Sequence, residues 1–157
     1  MNKIKEFLYI LVAVAIAQSA GLIGSLGTIS SVDSWYKTLV SPPLTPPDFI
    51  FGPVWLLLYT LMGIASYLVY KSGKKGRVRA LGIYLAHLVV NTAWSLIFFG
   101  EQNVAMALGV IVLLDILIVV VILRFYKISR TTAYLLVPYL LWALFATYLN
   151  TGFFFLN

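Results

Sequence analysis

The sequence predicts an all-α integral membrane protein, a five-transmembrane-helix bundle with a proline-rich extramembrane loop between helices 1 and 2. Residues 1–157 are read as a single membrane domain. Three observations carry this. Of the 157 residues, 62% are apolar and only 10% are charged, against roughly 25% charged in an ordinary soluble domain. So short a chain could not hide that much apolar surface from water. The apolar residues fall into five runs, each long enough for the roughly 20 residues that cross a bilayer as helix. The 11 Lys and Arg residues sit in short clusters between those runs. A soluble enzyme and a disordered tail are excluded. So is a nucleic-acid binder, despite the net charge of +6, because cations confined between apolar runs are the mark of membrane topology. With no cysteine there is no disulfide framework, thiolate metal site or Cys nucleophile.

The spans are placed at about Glu6–Leu26, Ile50–Lys71, Arg79–Gly100, Asn103–Phe125 and Thr132–Phe154. Lipid cannot satisfy free backbone groups and no alternating strands of ~10 residues occur, so each run is helical. The first run also reads as a signal peptide, since Lys3 and Lys5 precede an apolar stretch ending in Ala15-Ile16-Ala17. It continues through Gly21, Leu22, Ile23 and Leu26, beyond a signal h-region, and is expected to stay as a helix. Ala13, Ala17 and Gly21 recur every four residues there and form a face for close helix contact. GLIGSLG and the proline stretch close the first span. KSGKKGR, GEQN and YKISR separate the remaining four. No internal repeat is visible, which argues against an inverted-repeat transporter.

Orientation follows from the cations. Lys3, Lys5, Lys71, Lys74, Lys75, Arg77, Arg79, Arg124, Lys127 and Arg130 fall on one side, and Lys37 alone on the other. The positive-inside rule makes the N-terminus cytoplasmic and puts the first loop and the C-terminus on the non-cytoplasmic side.

The first loop, WYKTLVSPPLTPPDFIFGPVW, runs from Trp35 to Trp55 and holds five of the six prolines: Pro42, Pro43, Pro46, Pro47 and Pro53. Proline fixes φ and removes backbone donors, so the loop is stiff. It reads equally as a lid over an apolar cavity or as a rigid connector with Trp35 and Tyr36 as interfacial anchors. On the fifth span Trp142, Phe145 and Ala146 share a face that Leu149 and Asn150 continue. Such a stripe lines a slot for a flat ligand or packs on a neighbouring helix. Polar groups at membrane depth are costly and therefore informative. His87 and Asn91 share a face of the third span, and Asp115 sits midway along the fourth. His87 reads as a hydrogen-bonded core residue before a haem-iron ligand. Asn91 reads as an interhelical clamp. Asp115 could couple protons in a small-molecule exporter, but no second acid or lysine accompanies it within the spans. No metalloprotease, P-loop, dinucleotide-binding or nucleophile-elbow motif is present.

WYKTL followed by SPPLTPP, FGPVWLLLY, MGIASYLVYK, NTAWSLIFFG and VPYLLWALFATYLN resembles, in order and spacing, the TspO/translocator protein family, the peripheral benzodiazepine receptors (TspO/MBR). The resemblance covers about Trp35 to Asn150. It implies a five-helix bundle, commonly dimeric, that binds protoporphyrin IX, haem and related tetrapyrroles, and synthetic benzodiazepine- and isoquinoline-type ligands, in a pocket closed by the first loop. It further implies that the pocket involves Trp35 in the loop and Phe51, Gly52 and Trp55 opening helix 2. Asn91, Trp94 and Phe98 would join from helix 3, and Trp142, Ala146, Leu149 and Asn150 from helix 5. These roles imply a sensor, scavenger or carrier of porphyrins. For members that degrade protoporphyrin in light, the resemblance makes Trp35 and Trp142 the reactive residues. No metal and no resident cofactor are implied. Dimer contact is expected through the small residues Gly82 and Ala86. Two departures stand out. Where many members read KPxWxPP this chain has Ser41-Pro42-Pro43-Leu44-Thr45-Pro46-Pro47, losing a lysine and a tryptophan, and His87 replaces a usual Gln. No Lys or Arg follows Tyr148 to complete a cholesterol motif. Lys37 is the only cation on its side, so the carboxylates of a bound porphyrin are expected to point to water.

Overall fold

The computed structural model describes residues 2–157, and all regular structure among them is helical. In chain order the elements are α1 (Lys3–Ser31), a single turn α2 (Trp35–Thr38) and α3 (Asp48–Lys71). α4 (Arg77–Ser95) continues into a π-helical turn, Leu96–Gly100. After it come α5 (Val104–Tyr126), α6 (Arg130–Tyr134) and α7 (Val137–Leu156). Five stretches are long and apolar enough to cross a membrane: α1, α3, α4 with its π turn, α5, and α6 with α7. The shortest has 23 residues, which at ~1.5 Å per residue exceeds the ~30 Å hydrocarbon thickness. The helices pack as a ring. α3 lies on α1, α1 on α4, α4 on α5 and α5 on α7. The ring closes from α7 to α3 through Phe51–Trp142 and Trp55–Tyr139, with ring centroids 6.0 and 6.2 Å apart.

Local sequence explains the element boundaries. α5 is apolar apart from Asp115 and Arg124, and Ala107, Ile111, Leu114, Ile118, Val121 and Phe125 step by three and four and are its buried face. Met106, Val112, Leu113, Ile116 and Leu123 are exposed, as lipid permits. Pro138 has no N–H to offer the Tyr134 carbonyl, so the fifth span breaks after α6 and restarts with proline in the first turn of α7. The sequence reading carried one helix across this break. α4 begins after Gly76, whose φ of 88° is open to glycine. At its other end, Glu101 N donates to the Leu96 carbonyl at 2.9 Å across the widened π turn. That turn aims both Phe98 and Phe99 at Tyr36.

The largest departure from the expected boundaries is in α1. The glycines of GLIGSLG predict a break, yet the helix runs on to Ser31. Its glycines are contact points. Thr92 Oγ1 of α4 donates to the Ala20 carbonyl at 3.0 Å, and Ser95 Oγ to the Gly24 carbonyl at 2.9 Å. A Cβ on Gly27 would stand 3.0 Å from the Gly100 backbone nitrogen.

The Lys- and Arg-rich end of the bundle, the basic end, is fastened differently. Glu6 of α1 pairs with Lys71 of α3 and accepts from Tyr67 at 3.2 Å. Nearer mid-bundle, Gln18 Nε2 donates to the Leu56 carbonyl at 2.8 Å and to Thr60 Oγ1 at 3.0 Å. Between these, a Cβ on Gly63 would lie 2.5 Å from Val14 Cα. α1 therefore leans on α3 at the basic end and on α4 at the opposite, loop end.

Because Val14 backbone cannot yield as a side chain can, Gly63→Ala is expected to lower the thermal midpoint in detergent, at a cost of about 1–3 kcal/mol from overpacking. Gly109→Ala, on a face with nothing within 4 Å, is expected to leave it unchanged or raised, since alanine favours helix by up to ~1 kcal/mol. Equal effects from both would contradict the close α1–α3 approach.

Candidate functional site: an aromatic cavity at the loop end

A cavity of about 540 Å³ fills the loop half of the bundle between α1, α3, α4 and α7. Loopward of its contacts with Leu56 and Tyr59, α1 bonds to α4 rather than to α3. Leu22 and Ile29 of α1 and Phe49 and Leu56 of α3 edge it and are exposed, so it opens sideways between these helices.

The deep end is polar and fully satisfied. Asn91 of α4 accepts from the Tyr59 hydroxyl of α3, and its Nδ2 donates to Tyr139 Oη of α7 at 2.9 Å. One amide thus ties three helices together, the clamp that its position at membrane depth implied. A second amide does the same nearer the loop. Asn150 of α7 accepts from Trp94 Nε1 at 3.0 Å and donates to the Val104 carbonyl at 3.0 Å. Both indole and amide are held by the fold, so the wall is set before any ligand arrives.

Of the eleven residues named for the pocket, ten line this cavity. They are Phe51, Gly52 and Trp55 from α3, Asn91, Trp94 and Phe98 from α4 and its π turn, and Trp142, Ala146, Leu149 and Asn150 from α7. Trp55 stacks on Tyr59 at 5.6 Å and tilts against Trp94 at 6.3 Å. Trp142 meets Phe51 edge-on, and its indole N–H has no hydrogen-bond partner.

Trp35 is the exception. Its ring lies edge-on to Phe98 at 5.7 Å and does not line the cavity. Neighbouring residues on the one-turn α2 point about 100° apart, and the inward position goes to Tyr36. That phenol is buried against Phe98, Phe99 and Phe153 at 6.4, 5.5 and 5.3 Å.

The proline stretch is also displaced from the expected lid. Pro42 sits on Gly152 of α7, where a Cβ would come within 2.4 Å of the ring. Tyr148 Oη donates to the Pro43 carbonyl at 2.8 Å, and the Asn157 amide bonds both backbone groups of Val40, at 2.8 and 3.1 Å. Residues 39–47 strap α2 and the start of α3 to α7, while the roof itself is Val32, Asp33 and Tyr36. Leu44 is 81% exposed.

His87 lies among Tyr84 and Tyr139, with its Nδ1 on the Tyr84 carbonyl, and does not line the cavity. Asp115 accepts from Thr147 Oγ1 at 2.7 Å between α5 and α7, also apart from it. The α1 wall escaped the sequence reading. Gln18, Gly21, Ser25, Thr28 and Val32 line the cavity, and their steps of three and four were the available signal. Tyr59, Phe99 and Phe153 also line it, and nothing in their residue type separates cavity wall from packed core.

Fold and site together define a class: a five-span membrane protein enclosing an aromatic cavity that opens at the bilayer. The model of the TspO/MBR family matches residues 11–156. The chain is 40% identical over 157 residues to the tryptophan-rich protein TspO of Archaeoglobus fulgidus, covering 100% of this chain and 99% of that one. It is 39% identical over 148 residues to the tryptophan-rich protein TspO of Chlorobaculum tepidum, covering 93% and 94%. To the human translocator protein it is 40% identical over 119 residues, 74% of this chain and 70% of that one. The chain belongs to the TspO/MBR family and is an integral membrane protein.

Replacing Asn91 by Leu strands the Tyr59 and Tyr139 hydroxyls at the deep end. Each orphaned hydroxyl costs about 1–3 kcal/mol, so a clear fall in detergent melting temperature is expected. Tyr139→Phe, which orphans only one amide proton, is expected to cost less. The reverse order would contradict the clamp.

Proposed function

We propose that the protein binds porphyrins, protoporphyrin IX or haem, in the aromatic cavity and acts as their sensor, scavenger or carrier. The observation that carries this is the cavity wall. Trp55, Trp94 and Trp142 converge on one space whose volume lies within the ~300–1,000 Å³ of small-molecule sites. Indoles present large flat apolar faces, and stacking on such faces favours a planar macrocycle. The sideways opening between α1 and α3 admits a ligand dissolved in lipid without passage through water. Synthetic benzodiazepine- and isoquinoline-type ligands, also flat and apolar, fit the same description. By the positive-inside rule the basic end faces the cytoplasm, with the N-terminus, and the cavity, first loop and C-terminus face the other side. Gly82 and Ala86 lie exposed on α4, with nothing within 4 Å of a Cβ at Gly82. That open face supports a homodimer formed there. The α1 small-residue face is already used within the chain, since Ala17 is fully buried and Gly21 meets Tyr59.

Titration of the detergent-purified protein with protoporphyrin IX in the dark is expected to quench tryptophan fluorescence saturably, at one site per chain. Trp142→Phe is expected to weaken binding by about three- to tenfold, the scale of one aromatic contact. Linear quenching identical in the variant would mean partition into detergent and would remove this reading.

Photo-oxidative degradation of the porphyrin is a second reading, favoured by the unpartnered Trp142 indole in the wall. The two tryptophans named for it are not equivalent, because Trp142 lines the cavity and Trp35 does not. Under illumination the bleaching of bound porphyrin is expected to slow in Trp142→Phe and to change little in Trp35→Phe. Equal rates in wild type and Trp142→Phe would exclude an indole mechanism in this cavity.

A further inference from the structure

The cavity is apolar in its walls and acidic at its mouth. Asp33, just past α1, and Asp48, in the first turn of α3, both line it. Lys37, the one cation the sequence supplies to the loop end, does not line it and is taken up by Asp33, with Nζ 2.6 Å from Oδ1. That hydrogen bond and charge hold the Lys37 ammonium proton more tightly than usual. Lys37 also feels the charge of Asp48, so the three groups together leave the mouth one negative charge in excess. The field of Asp48 reaches the cavity lining. The Tyr36 hydroxyl is pushed up to about 12, first by burial and second by the Asp48 charge. Inside, the unpartnered polar group in the wall is the Trp142 N–H, a neutral donor that suits a neutral acceptor.

We propose that Asp48, beside the Asp33–Lys37 pair, makes this cavity select flat aromatic ligands by charge, preferring uncharged or cationic ones over dicarboxylates. A tetrapyrrole with esterified side chains is then a better ligand than the free diacid, whose propionates meet Asp48 at the mouth with no free cation to receive them. The inference deepens the tetrapyrrole reading above and rests on it. Asp48 is a specificity-determining residue in this account and takes no part in chemistry.

The test compares protoporphyrin IX with its dimethyl ester at low ionic strength, by tryptophan quenching in one detergent, in wild type, Asp48→Asn and Asp33→Asn. The macrocycle is shared, and the detergent contribution cancels between protein variants. Asp48→Asn is expected to tighten the diacid about three- to tenfold, the size of one charge pair about 4 Å apart in bulk water, and to leave the ester unchanged. Asp33→Asn, which frees Lys37, is expected to favour the diacid in the same sense. Added salt is expected to shrink the gain by screening. Saturable binding of both ligands with no selective gain for the diacid in either variant overturns the charge selection and leaves the cavity reading standing. Failure of both ligands to saturate in wild type overturns the two together.

Discussion

The structure depends on how α1 divides its contacts. At the basic end its backbone presses against α3, which is possible because Gly63 has no side chain. At the loop end Thr92 and Ser95 of α4 bond its carbonyls, and Gly27 meets Gly100. Packing in lipid has no hydrophobic drive between helices, so close backbone approach and side-chain hydrogen bonds decide which helices touch. These two attachments pull the helix in different directions along its length. The space left between α1 and α3 is the cavity.

An opening in a helical bundle is stable only if its walls do not collapse, and here the amides resist that. Asn91 holds α3, α4 and α7 around the deep end, and Asn150 holds α7 to Trp94 and to the start of α5. Each polar atom of these clamps is satisfied, as membrane depth demands. The strap of residues 39–47 adds a third restraint by fixing the loop onto α7 through Pro42, Pro43 and Val40. Residues 39–47 of the proline-rich loop are thus a strap, while Tyr36 earlier in the same loop covers the cavity. The roof over the cavity is Val32 and Asp33 with Tyr36 of α2.

Much of the site was legible in the chain. The stripe Trp142, Ala146, Leu149 on α7 and the aromatics at the start of α3 have helical spacing, and the family motifs point to the same positions. Two kinds of residue were not legible. Trp35 and Tyr36 are adjacent aromatics on a one-turn helix, and only the direction in which α2 docks decides which ring faces inward. The α1 wall has no aromatic or strongly polar signature, only glycine, serine and threonine at helical steps. Those residues also serve ordinary helix packing, and in α1 they do both.

By itself the sequence determined the solvent, the number of spans and the chemistry available to the wall. These follow from hydropathy, proline placement and residue type, which act locally along the chain. Only the tertiary structure decided that α1 continues through its glycines, that Tyr36 and not Trp35 lines the cavity, and that Asp48 stands unpaired at its mouth. Each of these depends on which surfaces meet across the bundle. Glycine permits a helix to end and permits two backbones to touch, and the partner helix selects between them.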